Sequence, residues 1–128
     1  MSDTSRVLKP AVNFLQRYQP FAQMSAAHLE YLAMHLEQVF FSEGDNILST
    51  KQGSNDYFYI IKSGLVQNQN TNTTLTPGTC FPIEALINHI DAVYYKAKKS
   101  TICYQLKYSH FEYLMQQSHS FNHFIYHS

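Results

Sequence analysis

The chain has 128 residues, of which 45% are hydrophobic and only 14% are charged, so it is long enough for one globular domain with a sizeable core. Its formal net charge is zero, whereas binding to nucleic-acid phosphates needs a basic face, so we expect no nucleic-acid partner. No apolar run approaches the roughly 18 residues of a membrane span, and the start does not resemble a signal peptide. We therefore expect a cytoplasmic protein with no membrane partner.

The N-terminal part of the chain is expected to be helical. Residues 1–9 are polar and expected to be disordered, and Pro10 suits the first turn of a helix. A second helix is predicted at about 25–36, because apolar residues recur there at helical spacing and Ser25 is a good N-cap. The N-terminal helices are thus expected within residues 10–37.

Residues 38–107 show short β-rich runs that alternate with turn signals, which is typical of an antiparallel sandwich or barrel. The run FPIEALIN at 81–88 interrupts the strands with a short predicted helix. The two cysteines, Cys80 and Cys103, lack metal-ligand spacing and are expected to be small buried side chains. Glycines punctuate the runs where turns with positive φ are expected: Gly44, Gly53, Gly64 and Gly78.

Residues 108–128 return to a helical pattern. Ser109 and Glu112 have the spacing of a capping box at its start. Serine and histidine are weak helix formers, so a kink or break is expected near 118–120. The whole chain of 128 residues is thus predicted to be a single domain, mainly β with flanking helices.

Three stretches of the chain together resemble the cyclic-nucleotide-binding domain family. The family's opening is similar to PFAQMSAAHLEYLAMHLEQVFFSEGDNIL, its signature hairpin to KQGSNDYFYIIKSGLV, and the start of its phosphate-binding cassette to PGTCFPIEALI. The resemblance covers roughly residues 15–118. It implies an antiparallel double-stranded β-helix, or jelly roll, with N-terminal helices, a short cassette helix and a C-terminal helix. It also implies a regulatory, ligand-sensing domain of a signal-transduction protein, and not an enzyme.

A narrower resemblance concerns one bacterial group. It rests on FPIEALI, on the segments Tyr95–Ala97 and Thr101–Leu106, and on the Ser-x-x-Phe pattern near 118–124. In that group a domain of this kind precedes paired CBS domains and a nucleotidyltransferase-like domain. The resemblance implies that these downstream domains of a longer protein are the partners of this chain.

The resemblance also locates a cassette in which the key residues differ from the family pattern. In the family, a Gly-Glu pair and a downstream Arg bind the ribose hydroxyl and the cyclic phosphate. Phe81 and Ala85 match the pattern, but Pro82 stands in the place of the Gly and Ile83 in the place of the Glu. Glu84 comes one residue late, which is about 100° of rotation on a helix.

The phosphate-binding arginine is missing as well. Asp91 falls near its place, followed by Ala92, and no arginine occurs after Arg17. A carboxylate there repels a phosphate, and the alternative cations nearby are Lys96 and Lys98. We therefore expect no cyclic nucleotide to bind in the usual way.

Two interpretations of the cassette remain open. In the first, Pro82, Ile83 and Tyr94 make the pocket more apolar, and it binds an unidentified nucleotide or other small ligand. In the second, the pocket binds nothing small, and the domain serves as a docking or dimerisation module. A true sensor of cAMP or cGMP is the third and least favoured interpretation. No catalytic residue, metal site or tightly bound cofactor is predicted.

The C-terminal helix carries two further features. Its apolar stripe, from Phe111 to Ile125, is expected to pack on its own domain, on a second copy in a homodimer, or on a downstream domain. His119, His123 and His127 follow at i, i+4 and i+8, a spacing at which a His pair can hold Zn²⁺. No Cys or carboxylate joins them at ligand spacing, so this row is expected to be the solvent face of the helix.

Overall fold

The computed structural model describes residues 2–48, 56–88 and 93–127. They form two compact units. The helical unit contains segments 2–36 and 109–127, and the β unit contains the described residues between 37 and 108.

The described elements follow one another in a helix–strand–helix order. In chain order they are α1 (Ser2–Leu15), a 3-10 turn (Phe21–Gln23), α2 (Ala26–His35), β1 (Glu37–Phe41), β2 (Asn46–Leu48), β3 (Tyr57–Ser63), β4 (Val66–Asn68), β5 (Thr73–Leu75), β6 (Cys80–Phe81), α3 (Ile83–Asn88), β7 (Tyr95–Ala97), β8 (Thr101–Lys107), α4 (Tyr108–Gln117) and α5 (His119–Tyr126).

The β unit is a roll of two four-stranded antiparallel sheets. The strand orders are β1-β8-β3-β6 and β2-β7-β4-β5. On the long strand β3, the alternate residues Tyr59 and Ile61 belong to the buried core of the roll, because every second side chain of a strand lies on the same face. The buried core of the roll draws on both sheets: Ile47, Tyr59, Ile61, Val66, Phe81, Tyr95, Ala97 and Cys103. The predicted jelly roll, mainly β with flanking helices, is confirmed.

Glycine turns connect several of these strands. Gly44, Gly64 and Gly78 have φ of 90°, 96° and 90°, in the left-handed region where a Cβ is unfavourable. The N–H of Gly78 donates to the Ile61 carbonyl at 2.8 Å, which closes the turn ahead of β6. Gly53, also predicted in a turn, lies outside the described residues.

Serine caps define two helix starts of the helical unit. The Ser25 hydroxyl accepts from the His28 N–H at 3.2 Å and begins α2, as predicted. The Ser118 hydroxyl accepts from the Phe121 N–H at 3.3 Å and begins α5. The predicted break near 118–120 is therefore confirmed, and its cause is a new N-cap.

Two helix boundaries differ from the sequence-based expectation. Helix α1 extends back to Ser2 with Pro10 inside it, whereas residues 1–9 were expected to be disordered. Proline has no backbone N–H, so one hydrogen bond of the helix is absent at Pro10. The residues before Pro10 can still be helical. Helix α4 begins at Tyr108, so Ser109 lies in its first turn and not at the cap of the predicted capping box. The Tyr108 N–H instead donates to the Asp56 carbonyl at 2.8 Å.

Aromatic contacts hold the helical unit together. Phe121 of α5 lies 5.8 Å from Phe111 of α4 and 6.5 Å from Phe21, between ring centroids. These separations are typical of interacting aromatic pairs. Among the residues described, no helix is long and apolar enough to cross a membrane.

Candidate ligand site of the β-roll

The cassette runs from β6 through Pro82 into α3. Phe81 and Pro82 are buried, and the Leu86 N–H donates to the Pro82 carbonyl at 3.1 Å, which starts the short helix. Ala85 and Leu86 are also buried. The helix therefore packs its Ala85–Leu86 side into the protein.

The two cassette positions that differ most from the family pattern lie at the edge of the buried region. Ile83 is half-buried and Glu84 is exposed. Ile83, at the position where the resemblance predicts a ribose-binding carboxylate, is therefore a half-buried aliphatic residue. Glu84, the one acidic residue of α3, comes directly after Ile83 and is exposed to solvent.

Three aromatic rings stack beside the cassette in the buried core of the roll. The Phe81 ring lies 5.2 Å from the Tyr59 ring at 14° and 4.8 Å from the Tyr95 ring at 26°, between centroids. Tyr59 pairs with Phe81 across β3 and β6, while Tyr95 comes from β7 of the other sheet. Because the rings are in stacking contact, no further ring fits between them.

The phenol groups of this stack have polar neighbours. The Tyr95 hydroxyl accepts from the Asn68 side-chain amide at 3.2 Å. Burial, and secondly the charge of Glu84, raises the pKa of Tyr95. Burial, followed by the influence of Cys103, Tyr57 and Asp56, raises the pKa of Tyr59 to about 12. Both raised pKa values favour neutral phenols. The charged group that acts on Tyr95 is the carboxylate of Glu84.

The alternative cations do not join this stack. On β7, Tyr95 and Ala97 are buried and Lys96 between them is half-buried. Successive side chains on a strand point to opposite faces of the sheet, so Lys96 lies on the outer face. Lys98 is exposed beyond the strand end. Neither ammonium group therefore lies with the stacked rings.

The remaining predicted site residues are spread around the cassette. Tyr94 is 38% exposed, and its backbone is fixed by Asn70, whose side-chain oxygen accepts from the Tyr94 N–H at 2.9 Å. Asp91 and Ala92 lie outside the described residues. The geometry brings Phe81 together with Tyr59, Tyr95 and Asn68, which the sequence did not single out.

Strand periodicity offered a signal for one of these additions. Tyr95 and Ala97 alternate with Lys96 and Lys98, a pattern that predicts an inward-facing Tyr95. Nothing in the sequence placed Tyr59 or Asn68 beside it, because that depends on how the strands pair.

The described residues of the cassette contain no cluster of metal ligands. Within the part of the chain that the structure describes, no group of three or more His, Cys, Asp or Glu residues is arranged to hold a metal ion. The two cysteines are free and buried, and burial raises the pKa of each thiol. Neutral thiols of this kind are poor nucleophiles and poor metal ligands.

No protein-family model and no curated protein sequence matches the chain, but solved structures do. The regulatory domain of Toxoplasma gondii PKA, in a co-crystal structure with cAMP, superposes with a TM-score of 0.76 at 23% identity. The match covers 87% of this chain and 46% of that one.

Two trypanosome proteins give similar matches. The regulatory subunit of a cAMP-independent protein kinase A from Trypanosoma cruzi, bound to guanosine, has a TM-score of 0.77 and 21% identity over 88% of this chain and 43% of that one. The Trypanosoma brucei counterpart has a TM-score of 0.72 and 20% identity over 88% and 44%. It is a triple mutant, one of whose substitutions introduces an arginine, bound to cAMP in the A site.

This chain therefore spans less than half the length of each of these three structures. Identities in this range establish the fold alone. On the strand order, the roll and these superpositions, the chain has the fold of the cyclic-nucleotide-binding domains.

Proposed function

We propose that this chain is the ligand-sensing regulatory domain of a signal-transduction protein, and that it does not hold cAMP or cGMP by the usual phosphate and ribose contacts. One observation carries the proposal: the cassette has no arginine to offer, since none follows Arg17 in the sequence. Ile83 replaces the ribose-binding carboxylate, and the exposed Glu84 adds negative charge.

The absence of these side chains has a cost in affinity that can be estimated. A charge-assisted hydrogen bond contributes about 1.5–3 kcal/mol, and each 1.4 kcal/mol changes affinity about tenfold. Without the arginine, a cyclic nucleotide should therefore bind roughly 10- to 100-fold more weakly. The missing glutamate and the repulsion by a carboxylate near the phosphate weaken binding further.

The comparisons support a ligand of different chemistry. The Trypanosoma cruzi protein is called cAMP-independent and is bound to guanosine, a nucleoside without phosphate. The stacked rings of Phe81, Tyr59 and Tyr95 lie beside the cassette, and an apolar surface of this kind without an arginine favours an uncharged ligand over an anion. We therefore propose an uncharged nucleoside or similar small molecule, and no tightly bound cofactor.

A second candidate is a docking or dimerisation module that binds no small ligand. The observation that favours it is the three-ring stack in the core of the roll, whose centroid separations of 4.8 and 5.2 Å leave no room for a further ring between its members. In this alternative the C-terminal helices contact a second copy or a downstream domain. The association with CBS and nucleotidyltransferase-like domains rests on the sequence resemblance alone.

The proposal is tested by restoring the side chains of the family pattern. The double variant Ile83→Glu with Asp91→Arg should gain cAMP binding that the wild-type chain lacks, measured by isothermal titration calorimetry. The matched control is Ile83→Glu with Asp91→Lys, which restores charge without the bidentate fork of a guanidinium and should bind more weakly.

Either of two results would contradict this explanation. Wild-type binding of cAMP at micromolar concentration would show that the cassette works without these residues. No gain in the Arg variant, with its fold intact by circular dichroism, would show that the absence of these two side chains is not what prevents binding.

A further inference from the structure

We infer that the histidine row of α5 and its C-cap carries a binding site for a divalent transition-metal ion such as Zn²⁺, made by the imidazole of His123 with that of either His119 or His127. These side chains line a groove of about 370 Å³ within the helical unit. The other lining residues are Gln23, Ser120 and Phe124. The described lining therefore offers imidazole nitrogens, an amide and a hydroxyl, with no lysine or arginine to repel a cation.

The spacing of the rings fits one shared ion. The His119 and His123 ring centroids lie 6.2 Å apart, and those of His123 and His127 lie 4.1 Å apart. With Zn–N bonds of about 2.0–2.1 Å at a tetrahedral angle, the centroids of two ligating imidazoles lie about 5 Å apart. The observed separations bracket this value. The interplanar angles are 32° and 23°, so the His123 ring must turn about its Cβ–Cγ bond to place an ion in the plane of both imidazoles of a pair.

The backbone already orients one of the ligands. The His127 Nδ1 lies 2.8 Å from the His123 carbonyl oxygen. A carbonyl only accepts, so Nδ1 donates this hydrogen bond, and Nε2 is the ring nitrogen that faces away from it. A ring N–H donated to a backbone carbonyl is the arrangement that orients metal-binding histidines in proteins.

Two histidines, and not three, are expected to bind at a time. No group of three ligand residues is arranged around one point in the described part of the chain. His123 belongs to both pairs of the row, so it is the shared ligand, and either His119 or His127 completes the pair. Water molecules then fill the remaining positions, as is usual for an open zinc site.

Metal binding at this row would also stabilise the helical unit. It would tie successive turns of α5 together, and the opposite face of α5 carries the buried residues Phe121 and Ile125. A ligand that binds only the folded state raises the stability of that state. Zn²⁺ should therefore raise the melting temperature of the chain, and EDTA should reverse the rise.

The test uses the tag-free chain of 128 residues and Zn²⁺ itself. Isothermal titration calorimetry should give one Zn²⁺ per chain. Losing a hydrogen-bond partner of a metal ligand typically weakens metal binding roughly 10- to 100-fold. His123→Gln removes a ligand itself, so it should weaken Zn²⁺ binding by more than that. His119→Gln and His127→Gln should each weaken it less, because each leaves one pair intact.

The double variant His119→Gln with His127→Gln should match His123→Gln. His28→Gln, on α2 and outside the groove lining, should bind as the wild type does. The mutated side chains lie at the surface of the groove, so melting temperatures in EDTA should agree across the set. No Zn²⁺ binding by the wild type at about 1 mM would overturn the inference, and so would His123→Gln binding as tightly as the wild type. Neither result depends on whether the β-roll binds a nucleoside.

Discussion

At the scale of single residues, Gly64 occupies a more constrained turn than Gly44. Its φ is 96°, and a Cβ there would meet the Thr101 Oγ1 and would lie 2.6 Å from the Ser100 carbonyl oxygen. Thr101 is fully buried, and its hydroxyl donates to the Leu65 and Lys99 carbonyls. The threonine therefore cannot move aside for a larger residue at 64.

Gly64→Ala is expected to lower the free energy of unfolding by about 3 kcal/mol or more, because backbone strain and a clash with fixed atoms add up. Gly44→Ala is the matched control. Gly44 has a similar φ of 90°, but nothing lies within 4 Å of its added Cβ, so its cost should be only about 1–2 kcal/mol. Urea unfolding measures both, and equal costs would contradict this explanation of Gly64.

The buried phenol of Tyr59 predicts a loss of stability in alkali. Its pKa is raised from 10.0 to about 12 in the folded chain, so the folded state favours the neutral phenol. That contribution is complete below about pH 10 and is lost as the pH rises from about 10 to about 12.

Tyr59→Phe should therefore lose stability less steeply than the wild type across that window. Unfolding by urea at several pH values measures the slope. Tyr126→Phe, at an exposed position, should keep the wild-type slope. Parallel slopes for all three proteins would mean that Tyr59 ionises in the folded state as easily as in the unfolded one.

At the scale of elements, the break between α4 and α5 depends on one side chain. The buried Ser118 caps α5 through the Phe121 N–H. Ser118→Ala is expected to lower the free energy of unfolding by about 1 kcal/mol, the usual cost of losing an N-cap. Thermal or urea unfolding measures the change.

Ser109→Ala is the control, because Ser109 lies inside the first turn of α4. Alanine is the better helix former, so this substitution should be neutral or slightly stabilising. If Ser109→Ala cost more than Ser118→Ala, the capping box predicted from the sequence would be the correct description.

Local patterns predicted most of the elements. Helical spacing and a serine cap predicted α2, and alternating apolar runs between glycines predicted the strands of the roll. The start of α1 was predicted at Pro10 but lies at Ser2. Proline suits the first turn of a helix, and it also occurs inside a helix where one backbone N–H hydrogen bond is absent. Helix boundaries depend on such one-residue choices, which packing decides.

The candidate site was predicted only in its local part. Phe81 and Ala85 could be placed from their position in the cassette, since neighbours along the chain fix them. The stack of Phe81 with Tyr59 and Tyr95 depends on the register between β3 and β6 and on the packing of one sheet against the other. The sequence contains no direct signal for the register or for the sheet packing. The three-ring stack could therefore not be predicted from it.

At the scale of the whole molecule, the chain has the fold of the cyclic-nucleotide-binding domains, and we propose that its cassette lacks their charged contacts. The β unit supplies the candidate site, and the helical unit supplies aromatic packing and the histidine row of α5. The two proposals together predict that the chain responds to an uncharged small molecule and to Zn²⁺ at separate sites.

The central claim is tested most directly by the melting temperature of the wild-type chain with and without cAMP at about 1 mM. A site with a dissociation constant about 100-fold below that concentration would stabilise the fold by about 2.7 kcal/mol, which for a domain of this size is a shift of several degrees. We predict no shift. A rise of several degrees with cAMP would contradict the claim and would make the β-roll an ordinary cyclic-nucleotide site.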